Sequence, residues 1–135
     1  MTLALLFPGQ GPQRAGLLSE LPGTTAASRA KTEAVSVVQS LGVDPATLDH
    51  TDSLRRTTEV QLTLLIAGLV TARALIEDHR LDVGIVAGHS IGAFAAAVTA
   101  GVLTVQERSR SCIAGVRACR RPCRMGAGVW RPSRG

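Results

Sequence analysis

Residues 82–101 constrain this chain more than any other stretch. Asp82-Val83-Gly84-Ile85-Val86-Ala87 is short, apolar and rich in β-branched residues, the pattern of a buried strand. Residues 93–100 are dominated by alanine, the residue with the highest helix propensity. Gly88-His89-Ser90-Ile91-Gly92 joins the two. A G-x-S-x-G between a strand and a helix is the sequence form of a nucleophile elbow, a strained turn that holds a serine hydroxyl in the open. Gly88 and Gly92 lack Cβ atoms, so strand and helix can close on each other around the turn. The Ile91 N–H, at the helix N-terminus, is placed to donate to the oxyanion that forms when Ser90 attacks a carbonyl. In a chain with 14 Gly and 9 Ser the five-residue pattern alone is weak; the flanking strand and helix make it specific.

The rest of the chain alternates around this turn. Residues 2–7 form an apolar run stopped by Pro8, hence a strand, and residues 8–13 form a loop with two glycines. Residues 25–41 have helical spacing of Ala30, Ala34, Val37, Val38 and Leu41, closed by Gly42. Residues 44–53 are a polar link. Residues 58–79 read as a long helix, apolar on nearly every face, as a helix covered on both sides would be. Thr104-Val105-Gln106-Glu107 has the form of a capping box that opens a further helix. The order β-α-α-β-α predicts an α/β fold: a parallel sheet with flanking helices, an elbow at the carboxyl end of a strand, and an incomplete α/β-hydrolase-like architecture.

Charge divides the chain in two. Residues 1–107 carry all ten acids, Lys31 and six arginines, a net charge of −3. Residues 108–135 carry eight arginines, no lysine and no acid, a net charge of +8, together with Cys112, Cys119, Cys123 and Trp130. Two units are therefore expected, residues 1–107 as the N-terminal part of a catalytic domain and 108–135 as an Arg/Cys-rich tail. The tail has the composition of an out-of-frame reading of a GC-rich gene, and a basic arm that contacts phosphates is the functional alternative.

Several classes are disfavoured by the same reading. The N-terminus has no basic segment before its apolar run, so no secretory signal is expected. The longest apolar stretch, residues 62–76, is interrupted and falls short of the roughly 20 residues of a membrane span. Residues 1–107 contain no cysteine, which fits a reducing compartment and a cytoplasmic location. Cys119 and Cys123 lack partner ligands at zinc-site spacing, so no metal site is expected. No membrane or nucleic-acid partner is expected. With no evident segment to cover residues 62–76, an exposed apolar patch is expected there.

The loop after the first strand makes the elbow more specific. Phe7-Pro8-Gly9-Gln10-Gly11 near the start and Gly88-His89-Ser90-Ile91-Gly92 downstream together resemble the malonyl-CoA:acyl-carrier-protein transacylase family over residues 1–107. The resemblance implies a ping-pong acyl transfer. Ser90 takes malonyl from malonyl-CoA and hands it to the phosphopantetheine-type thiol of an acyl carrier protein. It implies an oxyanion hole of the Gln10 and Ile91 N–H groups and places Gln61, which opens the long helix, near the active site. No cofactor bound by the chain itself is implied.

The chain also departs from that family. The family's base is a histidine far downstream of the serine, and an arginine on the helix after the elbow pairs with the malonyl carboxylate. Neither has a match here: His89 neighbours Ser90 and is expected to pack elsewhere, His50 and His79 are expected to be structural, and no residues around Arg117 fit the pattern. The chain as it stands is therefore expected to be inactive. Ala93 follows Gly92 where fatty-acid-synthesis transacylases usually carry glutamate, and residues 88–101 resemble the epsilon subunit of malonate decarboxylase. Other malonate decarboxylase subunits would then be partners beside the carrier. The alternatives are a fatty-acid or polyketide transacylase, or an α/β-hydrolase esterase or thioesterase, although the HG-rich oxyanion loop of the last is absent.

Overall fold

The computed structural model describes residues 3–107, 109–110 and 128–130. Strand β1 (Leu3–Phe7) leads through a loop to helix α1 (Thr25–Ser40), then α2 (Thr57–Arg73), strand β2 (Val83–Gly88), helix α3 (Ile91–Thr99) and strand β3 (Gly128–Trp130). Single 3-10 turns at Leu17–Ser19, Pro45–Thr47 and Ser53–Arg55 fill the links. β1 and β2 pair in parallel, with Leu5 beside Val86 and Phe7 beside Gly88. This is the adjacency that a βαβ order requires.

Helix ends follow local chemistry where residues allow it. Gly42, at φ 80°, ends α1, and its N–H bonds to the Gln39 carbonyl at 2.9 Å. The capping box predicted at 104–107 is present: Thr104 N–H donates to Glu107 Oε2 at 2.8 Å and Glu107 N–H to Thr104 Oγ1 at 3.2 Å. Residues 105–107 and 109–110 are helical. The N-terminus of α1 is capped from far along the chain. Asp78 accepts from the Thr24 hydroxyl at 2.5 Å and from the Ala26 N–H at 3.0 Å. These bonds hold its carboxyl below the usual range, the Thr24 hydroxyl contributing most. Asp78 lies on a π-turn, Ala74–Asp78, that continues α2, so the cap also fixes α2 against α1.

Two expectations are corrected. The apolar segment at 62–76 is covered: Leu62, Leu65, Ile66 and Val70 are buried between α1, α3 and the 3-10 links. Thr63 donates to the Leu48 carbonyl at 3.2 Å and pins the link over α2. Helix and π-turn run unbroken over Thr57–Asp78, 22 residues with mean hydropathy 1.6, long and apolar enough to cross a membrane by length and composition alone. Within this fold 56% of that window is buried, as in a core helix. The second correction concerns the sheet, which is mixed, because β3 pairs antiparallel with β2 and sets Val129 beside Ala87. β3 lies within the basic tail, where arginine-rich sequence gave no strand signal; β2 offers it an unpaired edge. The remaining tail features, including Cys112, Cys119, Cys123 and Arg117, lie outside the described residues.

Candidate active site

The carboxyl ends of β1 and β2 lie side by side, and the elbow turns between them. Ser90 has φ 54° and ψ −121°, a conformation that L-residues rarely adopt. Such strain persists only where surrounding packing enforces it. Two glycines make that packing possible. A Cβ on Gly88 would lie 2.2 Å from the carbonyl carbon and oxygen of Gly92. A Cβ on Gly92 would lie 2.2 Å from the Phe7 carbonyl oxygen and 2.5 Å from that of Pro8. Strand, helix and β1 thus meet backbone to backbone, at separations that leave no room for a side chain.

Hydrogen bonds fix the turn. His89 N–H donates to the Phe7 carbonyl at 3.2 Å, Gly92 N–H to the His89 carbonyl at 2.9 Å and Ala93 N–H to the Ser90 carbonyl at 3.0 Å. Ile91 N–H, the first amide of α3, has no acceptor among the described residues, so the positive end of the helix offers a free donor next to Ser90. The Ser90 side chain makes no hydrogen bond among the described residues.

The glycine-rich loop closes over this turn. A Cβ on Gly9 would lie 3.1 Å from His89 Cδ2, 3.2 Å from the His89 carbonyl oxygen and 3.4 Å from Ser90 Cβ. Gly9 is thus in contact with the elbow, and Gln10 follows it. Gly11, at φ 140°, lets the chain reverse, and its N–H bonds to Gln13 Oε1 at 2.6 Å. Gln10 N–H has no acceptor among the described residues. The structure therefore brings Ser90, Ile91 and the Gln10 loop together. Gln61 is buried in the first turns of α2 and makes no hydrogen bond to any of them. His89 is exposed, with its ring edge on Gly9 rather than on the serine hydroxyl. The contact between Gly9 and His89 was not evident from sequence; the only trace of it was a second small residue beside Gln10.

A hydroxyl on a strained turn beside two undirected backbone donors is an arrangement suited to acyl transfer. A base is also needed, and none of the described side chains holds the hydroxyl. Among the described residues no cluster of three His, Cys, Asp or Glu side chains is placed to hold a metal.

No family model matches the chain. It is 31% identical over 106 residues to the malonyl CoA-acyl carrier protein transacylase of Bacillus subtilis, covering 78% of this chain and 26% of that protein. Its fold is similar to the acyl-carrier-protein S-malonyltransferase of Burkholderia pseudomallei, with TM-score 0.71, 31% identity, and coverage of 83% of this chain and 36% of the other. It is also similar to a malonyl-transacylase solved in complex with its type II polyketide-synthase acyl-carrier protein, with TM-score 0.69, 31% identity, and coverage of 83% and 37%. In sequence and in acyltransferase-like α/β fold, these likenesses support the malonyl-CoA:acyl-carrier-protein transacylase family for this chain, which spans 26–37% of the length of those three proteins.

Proposed function

We propose that this chain carries the nucleophile of an acyl-carrier-protein S-malonyltransferase. The observation that carries the reading is the strained Ser90 turn with the Gly9–Gln10 loop folded against it. Ser90 Oγ attacks the thioester carbonyl of malonyl-CoA, the C–S bond breaks, and CoA leaves as its thiol after taking up the serine proton. The phosphopantetheine-type thiol of a carrier protein then attacks the serine ester and regenerates the hydroxyl. The Ile91 and Gln10 N–H groups donate to the oxyanion in both steps, and Gln61 contributes to the substrate side of the site. The proton needs a base, and the malonyl carboxylate needs a cation. Both belong to the part of the domain that lies beyond residues 1–107, so the 135-residue chain alone transfers no malonyl above background. The site belongs to the cytoplasm, where malonyl-CoA and carrier proteins are found.

Within this activity we favour the transacylase subunit of malonate decarboxylase, acting with the other subunits of that complex. Ala93 and the alanine-rich run that follows support it: Ala93 is buried against the turn, where a glutamate would add a charge. The sequence relatives include malonyl CoA-acyl carrier protein transacylases and a polyketide synthase system protein, and a fatty-acid or polyketide transacylase is the second reading. Both are tested in a complete domain made by joining residues 1–107 to the remainder of a homologous transacylase. Malonyl-CoA should add one malonyl mass to this protein and none to its Ser90→Ala variant; a variant that still gains the mass removes Ser90 as nucleophile. Faster transfer to a carrier bearing a dephospho-CoA-derived arm than to a phosphopantetheine carrier favours malonate decarboxylase, and the reverse order favours the second reading.

A further inference from the structure

The loop that carries Gln10 runs from the end of β1 at Phe7 to the 3-10 turn at Leu17–Ser19, and its two ends are fixed in different ways. Phe7 is held by the sheet and the core. The far end is held by a buried carboxylate from the polar link between α1 and α2. Asp49, only 7% exposed, accepts the Leu18 N–H on Oδ2 at 2.8 Å, across 31 positions of the chain. Its own carbonyl accepts the Gly16 N–H at 3.2 Å. Lys31 of α1 donates from Nζ to the Leu18 carbonyl at 2.6 Å, so charged side chains grip both backbone groups of Leu18.

Asp49 is itself tied to the core. The preceding residue, Leu48, is fully buried, and its carbonyl accepts the Thr63 hydroxyl of α2 at 3.2 Å. A continuous path of bonds thus runs from α2 through the link to the loop. Other ties within the loop lie at the surface: the Gly11 N–H to Gln13 Oε1, and the Arg14–Glu20 ion pair. Exposed charge pairs are screened by water and salt and hold geometry weakly. A carboxylate accepting a backbone N–H out of water is a stronger tie, and burying that charge is costly where packing is the only gain. Gly9 and Gly11 give the segment between the two anchors little stiffness of its own, so the anchors decide where the Gln10 N–H points.

We propose that Asp49 is a positioning residue for the oxyanion loop. By holding Gly16 and Leu18 it fixes the Gln10 N–H against the Ser90 turn, with Lys31 securing the Leu18 carbonyl. An oxyanion donor acts on charge that develops in the transition state, so slack in the loop lowers the rate of ester formation rather than the affinity for malonyl-CoA. The proposal rests on the transacylase reading for the role of the Gln10 N–H; the anchor itself does not.

Amide exchange in the 135-residue chain tests the anchor. Asp49→Ala should speed exchange at Gly11, Gly16 and Leu17, whose N–H groups are bonded, by about tenfold or more and leave α3 unchanged. Asp49→Asn, which keeps an oxygen acceptor, should stay near the parent. Single-turnover formation of the Ser90 ester in the complete domain tests the consequence. Asp49→Ala should slow this step at saturating malonyl-CoA by about tenfold or more, with the half-saturating concentration unchanged and Asp49→Asn restoring most of the rate. Combined with Gln10→Pro, which already lacks the donor, Asp49→Ala should cost nothing further. A loss that adds to that of Gln10→Pro, or that falls on the half-saturating concentration, overturns the proposal, as does unchanged exchange at the three amides. Lys31→Met, which releases the Leu18 carbonyl from a half-buried position, carries the same comparisons if Asp49→Ala does not fold. A parent domain in which Ser90 takes no malonyl counts against the transacylase reading, and exchange then decides the anchor alone.

Discussion

Gly92 of α3 stands against Phe7 of β1 so closely that a methyl group on Gly92 would lie 2.2 Å from the Phe7 carbonyl oxygen. That one contact sets the depth of α3 over the sheet and brings the end of β1, with its loop, to the serine turn. Gly68 repeats the device from the other side, where a Cβ would lie 3.1 Å from Phe7 Cδ1 and 3.3 Å from the Ala95 Cβ. Phe7 is clasped by both helices, and the Gln10 loop inherits its position from it.

The first prediction tests that contact. Gly92→Ala forces backbone against backbone, with no flexible side chain to yield, and should cost about 1–3 kcal/mol in urea denaturation of the 135-residue chain. Gly23→Ala, with nothing within 4 Å of its added methyl, is the control and should change stability by less than about 0.5 kcal/mol. Equal shifts for the two variants would show that the close approach is not enforced.

The strain at Ser90 gives a second expectation. Glycine adopts φ 54° and ψ −121° without a Cβ clash, so Ser90→Gly should stabilise the chain by about 1 kcal/mol, whereas Ser90→Ala keeps the strain. Both variants lose the malonyl ester in the complete domain. A Ser90→Gly protein no more stable than Ser90→Ala would mean that the turn is relaxed.

The third concerns a backbone donor. Gln10→Pro deletes the N–H assigned to the oxyanion, and losing one such donor costs about 10²–10³ in rate. Gln10→Ala retains the N–H and should cost far less. Single-turnover formation of the serine ester in the complete domain separates the two, and parental rates for Gln10→Pro would reduce the loop to an ordinary turn.

Asp78 supplies a pH-dependent prediction. Its carboxyl is held below the ordinary value by the Thr24 hydroxyl and the Ala26 and Ala27 N–H groups. A carboxyl depressed in the folded state contributes stability above its unfolded pKa of about 3.9, and that contribution is lost as pH falls through the folded value. Asp78→Asn should therefore lower the melting temperature at pH 7, and the gap to the parent should narrow as the pH is taken below about 4. A gap that is constant down to pH 2 would assign the effect to packing rather than to the charged cap.

What the sequence determined was local. The elbow, the glycine that ends α1, the capping box at Thr104 and Glu107, and the parallel pairing of the strands at its two glycine-rich motifs were legible because each depends on a few neighbouring residues. Backbone sterics and side-chain-to-backbone bonds act over one turn, and one turn can be read from a string of letters. Tertiary structure decided everything that joins distant residues. Asp78 caps α1 across 52 positions, and no spacing rule links it to Ala26. The buried state of α2 was decided by α1 and α3 closing around it, because an apolar helix reads the same whether it is covered or bare. β3 joined the sheet because β2 had an open edge, and Leu6 stayed exposed because it lies on the face away from the core that holds Phe7 and Val86. Burial depends on what else the chain folds against it, which is why the strained serine turn could be read from five residues and the buried or exposed state of its neighbours only from the assembled sheet.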